Sequence, residues 1–172
     1  MSKVLIVSDS HGLTEELQLI KDTHGTDIDL MVHCGDSELM KDDPAIQGFL
    51  TVRGNCDYEA GYPNETTADA GGKKFFITHG HHYSVKSTLM NLHYRAKEVG
   101  ADVVCFGHSH LLGAEEVDGI LFLNPGSLRL PRRRLEKTYV ILDLQEKDIV
   151  LKVFDLENGE LKELSKKFTL SK

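Results

Sequence analysis

Apolar and polar positions along the chain fall into short runs whose period changes in a regular way. Lys3 to Val7 is an apolar, β-branched run that predicts a buried strand, and Ser8–Asp9–Ser10–His11–Gly12 breaks it. Leu17 and Ile20 then keep helical spacing within a helix predicted from Leu13 to about Thr23. Leu30 to Val32 predicts a second strand, ending at His33–Cys34–Gly35–Asp36. Pro44 opens a short predicted helix through Gln47, and Phe49 to Val52 predicts a third strand, ending at Arg53–Gly54–Asn55–Cys56–Asp57. Strand, polar loop and helix in repeated order predict βαβ units and a mainly parallel sheet.

The middle of the chain reads differently. Glu65 to Ala70 and Lys73 to Thr78 flank Gly71–Gly72, a hairpin signal, and the second strand runs into His79–Gly80–His81–His82. Val85 to Val99 predicts a helix with Val85, Leu89, Leu92 and Ala96 on one face and Gly100 as its stop. Asp102 to Phe106 is a buried run ending at Gly107–His108–Ser109–His110. Asp118–Gly119 joins Leu112–Val117 to Ile120–Asn124, and Thr138–Leu144 and Ile149–Leu156 form another pair. Asn158–Gly159 turns into a final strand near Leu161–Phe168. The fold expected is α/β, with two packed sheets and helices outside.

Length adds that the 172 residues form one domain, residues 1–172, with a core of its own. A net charge of −7 means that nucleic acid is not attracted by bulk electrostatics, and the absence of Trp removes the strongest stacking platform. Apolar runs all fall short of the roughly 18 residues of a membrane span, and the N-terminus lacks the features of a signal peptide. A cytoplasmic protein without a membrane partner is expected. Cys34, Cys56 and Cys105 show no CxxC spacing, which argues against a disulfide framework.

Five motifs sit just after predicted strands: Asp9-x-His11, Gly35–Asp36, Gly54–Asn55, His79–Gly80–His81 and Gly107–His108-x-His110. Ligands of open α/β sheets bind beyond the carboxyl ends of strands, so these clusters are expected to gather on one edge. Carboxylate oxygen and imidazole nitrogen suit Mn, Fe or Zn, and the lack of a thiolate set argues against a structural zinc. Each motif is weak alone, since DxH and GD recur by chance; their order and placement carry the inference.

This series resembles the calcineurin-like metallophosphoesterase superfamily. The Gly54–Asn55–Cys56–Asp57 form of the third motif and the Asn124–Pro125–Gly126–Ser127 segment resemble its compact bacterial and archaeal phosphodiesterase branch, the YfcE type. The resemblance covers roughly residues 3 to 130. It implies a sandwich of two mixed sheets flanked by helices. It implies two divalent ions, with Mn expected and Fe, Zn, Ni or Co as alternatives. Asp9, His11 and His110 would hold the first ion, Asn55, His79 and His108 the second, and Asp36 would bridge them; exchange of the last two histidines is the alternative. A water or hydroxide held between the ions would attack phosphorus in line. Asn55 would also orient a phosphate oxygen, and His81 would contact substrate. Larger members carry His where this chain has Cys56, so a small phosphodiester with a good leaving group is expected rather than an alkyl monoester. The competing readings are a non-catalytic scaffold, since the compact fold also serves in the retromer complex, and, ranked lower, a nuclease.

Other residues have plainer readings. His33 reads as a satisfied half-buried or buried histidine, His24 and His93 as structural or surface residues, and Cys34 and Cys105 as small core residues. His82 reads as solvent-facing or as a support to the site. Asp57 either supports a ligating histidine or ends its turn. Asn124–Pro125–Gly126–Ser127 reads first as a tight turn after a strand, with lining of the metal cleft as a further possibility. Arg129 and Arg132, Arg133 and Arg134 form a basic cluster, read as a solvated loop with phosphate binding as the sharper alternative.

Overall fold

The computed structural model describes residues 2–170. Strands β1 (Ser2–Val7), β2 (Leu30–His33) and β3 (Phe49–Thr51) pair in parallel. On the other side of β1 lie β9 (Thr138–Leu144) and β10 (Asp148–Asp155), antiparallel to their neighbours. The second sheet has the order β4-β5-β6-β8-β7. Its parallel centre is β5 (Lys73–Thr78), β6 (Val103–Cys105) and β8 (Ile120–Asn124), and β4 (Glu65–Ala70) and β7 (Gly113–Val117) are antiparallel edges.

The side-chain period of two explains the layers. Val4 and Ile6 of β1, Phe75 and Ile77 of β5, and Leu121 and Leu123 of β8 point between the sheets into one core cluster. Leu5 and Val7 point the other way, onto Leu17 and Ile20 of helix α1 (Glu15–His24). Phe76, Val104 and Phe122 likewise face Leu92 and Ala96 of helix α2 (Met90–Val99). The result is the expected sandwich of two mixed sheets with a helix on each outer face. Cys34 and Cys105 lie in the inter-sheet core.

Three predicted elements differ. Residues 44–47 form turns rather than a helix: Ile46 N–H bonds the Asp43 carbonyl and Phe49 N–H the Ile46 carbonyl, three residues back, while Lys21 Nζ donates to the carbonyls of Pro44 and Gln47. Helix α2 begins at Met90, not Val85. Residues 84–87 form a turn instead, in which Ser87 N–H and Thr88 N–H both donate to the Ser84 carbonyl, and a short 3₁₀ turn over His81–Tyr83 precedes it. Val85 and Leu89 still pack on the predicted face. The final strand is split into β11 (Gly159–Glu160) and β12 (Lys166–Thr169), which pair with opposite ends of β10. A 3₁₀ turn over Lys162–Leu164 separates them.

Candidate metal centre

Strands β1, β2, β5 and β6 end at one edge of the sandwich. The loops that follow bend sharply: Asp9, His11, Asp36, His108 and His110 all have φ between 42° and 70°. That region is costly for residues with a Cβ, and it turns their side chains back over the strand ends. Backbone bonds tie the loops together, from Asp9 N–H to the Gly35 carbonyl, His11 N–H to the Asp36 carbonyl, and Gly107 N–H to the His79 carbonyl.

Two carboxylates form the centre. Asp9 is fully buried; its Oδ2 accepts hydrogen bonds from Ser8 Oγ (2.6 Å) and His108 N–H (3.1 Å). Its Oδ1 has no hydrogen-bond partner among the described residues and lies 3.1 Å from His110 Nε2, 3.8 Å from His11 Nε2 and 3.9 Å from His79 Nε2. Asp36 Oδ1 accepts from Cys56 N–H (2.8 Å), while Oδ2 faces His79 Nε2 at 3.1 Å and His11 Nε2 at 4.0 Å.

The histidine tautomers make this arrangement informative. His79 Nδ1 bonds the Cys34 carbonyl at 2.8 Å and His110 Nδ1 bonds the Leu130 carbonyl at 2.8 Å. A carbonyl only accepts, so each Nδ1 carries the hydrogen and each neutral ring presents a bare Nε2 lone pair. Those lone pairs point at Asp9 and Asp36, and Asn55 Oδ1 joins His79 Nε2 at 3.0 Å. Acceptor faces acceptor, and such a cluster is stable only with positive charge inside it, as protons or as cations. The donor set, hard carboxylate with imidazole and amide oxygen, fits a divalent first-row ion. Ligand atoms of Asp9, His11 and His110 lie within 4.8 Å of one another, and so do those of Asp9, Asp36 and His79. A third such group is His11, Asp36 and Cys56. His108 belongs to none of these groups; its ring lies 5.1 Å from that of His79.

The titration of the cluster follows its geometry. Burial alone would depress His79, but the Asp36 hydrogen bond and the Asp9 charge outweigh it and raise the pKa. Once protonated at Nε2, His110 can donate to Asp9, and this raises its pKa. Burial pushes the Asp9 and Asp36 carboxyls up, and the histidines win and hold both below the ordinary value. Burial lowers His81 and His108 to about 4, aided by neighbouring histidines, so both are neutral at pH 7. His81 stands beside the centre, its ring 5.4 Å from that of His79 and 4.0 Å from that of His82, with a buried Nδ1 that has no hydrogen-bond partner among the described residues.

Several residues have roles that sequence reasoning missed. Asp57 bonds no histidine. Its carboxylate accepts the N–H groups of Asp36 (2.8 Å), Glu38 (2.8 Å) and Gly54 (2.7 Å), and so joins the second and third loops. Asn124 Nδ2 donates to the Gly107 carbonyl and Ser109 Oγ, and Ser127 Oγ donates to the Asp9 carbonyl. The segment read as a turn therefore holds in place the two loops that carry Asp9 and His108. Buried Asn and Ser after an apolar strand were the available signal. Arg129 leaves the solvated cluster to donate from Nη1 to the His11 carbonyl. His33 is buried and satisfied: Gly35 N–H donates to its Nδ1, and its Nε2 bonds Ser10 Oγ at 2.9 Å.

Comparison with known proteins adds a family. Residues 2–147 match the calcineurin-like phosphoesterase superfamily domain. The chain is 48% identical to the probable metallophosphoesterase YsnB of Bacillus subtilis, covering 97% of this chain and 99% of that protein. A conserved uncharacterized protein of Streptococcus pneumoniae TIGR4, a predicted phosphoesterase, superposes with a TM-score of 0.92 at 32% identity, covering 98% and 97% of the two chains. A novel archaeal phosphodiesterase matches with a TM-score of 0.70 at 27% identity, over 88% of this chain and 99% of that one. Vacuolar protein sorting 29 of Cryptosporidium parvum shares the fold at 20% identity, with a TM-score of 0.78 and 98% of each chain covered. With the family match spanning most of its length, the chain belongs to the calcineurin-like phosphoesterase superfamily.

Proposed function

We propose that the protein is a metal-dependent phosphodiesterase acting on a small diester. The observation that carries this reading is the ring of bare Nε2 and carboxylate lone pairs around Asp9 and Asp36. In this reading Asp9, His11 and His110 hold one divalent ion, Asn55, His79 and His108 a second, and Asp36 reaches both; Mn is the first choice of metal. When bound, such ions supply an activated water and neutralise charge on the phosphoryl oxygens.

The remaining work falls to the chain. Backbone bonds from His79 and His110 keep their Nε2 atoms aimed inward, so little is lost to reorientation. The Asn55 amide orients a phosphoryl oxygen by donating from Nδ2. His81, neutral at pH 7, is a hydrogen-bonding contact to substrate rather than a source of protons. Burial and the Asp36 charge push the Cys56 thiol up to about 11, so it remains a thiol and a poor acid for a leaving alkoxide. That favours diesters whose leaving group departs without a proton.

A scaffold role on the same fold has support from the likeness to vacuolar protein sorting 29, which concerns the fold alone. The filled ligand positions favour catalysis, and the net charge of −7 leaves a nuclease last. The test is turnover of bis(p-nitrophenyl) phosphate by Mn²⁺-reconstituted wild type and Asp36→Asn. Supporting groups around metal ligands are worth about 10–100-fold, so loss of a bridging ligand should cost at least about 100-fold. Equal rates in the two proteins would overturn the reading, and a preference for an alkyl monoester would overturn the role given to Cys56.

A further inference from the structure

The loop from β8 to β9 leaves one strand and joins the next at the metal edge, because β9 runs antiparallel to β1. It is pinned there. Arg132 N–H donates to the His110 carbonyl at 3.1 Å, and the Leu130 carbonyl accepts from His110 Nδ1. The same loop forms one wall of a cavity of about 460 Å³ on the outer face of the second sheet. That volume is on the scale of small-ligand sites, about 300–1,000 Å³.

The lining is of two kinds. Val85, Phe106, Leu112 and Phe122 make an apolar floor. Arg132, Arg133 and Arg134 stand along one side, with Glu115 the single acidic residue among the lining groups. The guanidinium groups of Arg132 and Arg133 make no hydrogen bond or ion pair among the described residues, and Arg134 meets Glu136 only at 3.7 Å. Ser109, between His108 and His110 in the chain, is also among the lining residues and so ties the cavity to that loop. Its buried hydroxyl accepts from Asn124 Nδ2 (3.0 Å) and Leu111 N–H (3.3 Å), and its own proton has no acceptor among the described residues. Three arginines gathered on one wall of an acidic protein complement an anion.

We propose that this cavity receives one ester arm of the phosphodiester substrate, an arm with an apolar body and an anionic terminus. The apolar floor takes the body, Arg132, Arg133 and Arg134 take the terminus, and the Ser109 hydroxyl donates at the inner end. The substrate role rests on the phosphodiesterase reading; the cavity's affinity for aryl anions does not.

Two measurements on the Mn²⁺-loaded full chain test it. The first compares kcat/KM for p-nitrophenyl phenyl phosphate and p-nitrophenyl p-sulfophenyl phosphate, which differ by one sulfonate, a weak metal ligand. The second is a fluorescence titration with naphthalenesulfonate. The variants are Arg132→Glu/Arg134→Glu and Gly113→Leu, with folding checked by circular dichroism; Gly113 lines the cavity and a Cβ there meets nothing within 4 Å among the described residues, so a larger side chain has room to start into it. Charge-assisted bonds predict a wild-type preference for the sulfonated diester of about tenfold. That preference should vanish in both variants, and naphthalenesulfonate affinity should fall by a similar factor. No wild-type preference, or unchanged naphthalenesulfonate binding in the arginine variant, overturns the proposal. Wild type that turns over neither diester, yet loses naphthalenesulfonate on mutation, overturns the phosphodiesterase reading and the substrate role with it, and keeps the cavity as an aryl-anion site.

Discussion

The two ends of the sandwich place positive φ on different residues. At the far end, the β4–β5 turn uses Gly71 (φ 55°) and Gly72 (φ 76°), and the β7–β8 turn uses Gly119 (φ 77°) with Asp118 (φ 51°) as the one residue there that carries a side chain. At the other end, Gly12, Gly35 and Gly80 share positive φ with six residues that carry side chains, Asp9, His11, Asp36, Glu38, His108 and His110. A turn that only reverses the chain mostly takes the residue with no Cβ, and Asp118 is of the type that tolerates this region best. A turn that must also present a ligand retains the side chain and bears a cost of about 1–2 kcal/mol for each such residue. Backbone strain is thus concentrated where chemistry is proposed, and the deep core between the sheets compensates.

The contrast breaks most sharply with two alanines. A Cβ on Gly107 would lie 2.1 Å from Ser8 Oγ and 2.5 Å from Asp9 Oδ2, so Gly107→Ala displaces the carboxylate. By the scale of supporting groups, Mn²⁺ affinity should fall about 100-fold, measured by calorimetry. Gly72→Ala meets no atom within 4 Å and should cost only the positive φ, about 1 kcal/mol, which lowers Tm by about 2–4 °C and leaves metal affinity unchanged. Equal metal affinity in the two variants would show that the close approach at Gly107 does not position Asp9.

Proton competition sharpens the same contrast with a smaller effect. His79 and His110 have raised pKa values because Asp36 and Asp9 face them. Below those values an arriving ion must displace protons, and above them it need not. Mn²⁺ affinity should therefore rise with pH above the ordinary histidine value of 6.5, by up to about tenfold per unit for each proton displaced, and then level off. His81 and His108, at about 4, add nothing in this window. Calorimetric titrations between about pH 6 and about pH 8 check the slope, and a flat profile would remove these two histidines from the ligand set.

The smallest effect has the most diagnostic sign. His11→Gly removes a proposed ligand and relieves φ of 42°. In chelator, Tm should rise by about 2–4 °C, net of the entropy that glycine adds to the unfolded chain. A lower Tm would mean that the His11 side chain stabilises the fold more than its backbone strains it.

Much of this was legible beforehand. Periodicity located the strands, because alternation such as Val4, Leu5, Ile6, Val7 reports which sheet face each residue meets. The helical spacing of Val85 and Leu89 predicted their packing face correctly and their backbone wrongly, since a turn can present the same face as a helix. Asp57 does close its own turn on Gly54, as one of its two readings has it, but its bonds to Asp36 and Glu38 and the Arg129 bond to the His11 carbonyl were not legible, because no sequence spacing encodes an N–H or carbonyl brought close by tertiary folding.

The sequence by itself determined the strand–loop rhythm, the family, and the supply of carboxylate and imidazole groups at strand ends, because these depend on side-chain identity and local period. Tertiary structure decided the rest. It turned the His79 and His110 lone pairs onto Asp9 and Asp36 by giving each Nδ1 a carbonyl from a distant loop. It left His108 outside the compact groups. It also carried Arg132, Arg133 and Arg134 to the wall of a cavity beside the centre, because an antiparallel β9 must start at the metal edge. Direction and proximity of this kind come from the closure of two sheets, which residue order alone does not specify.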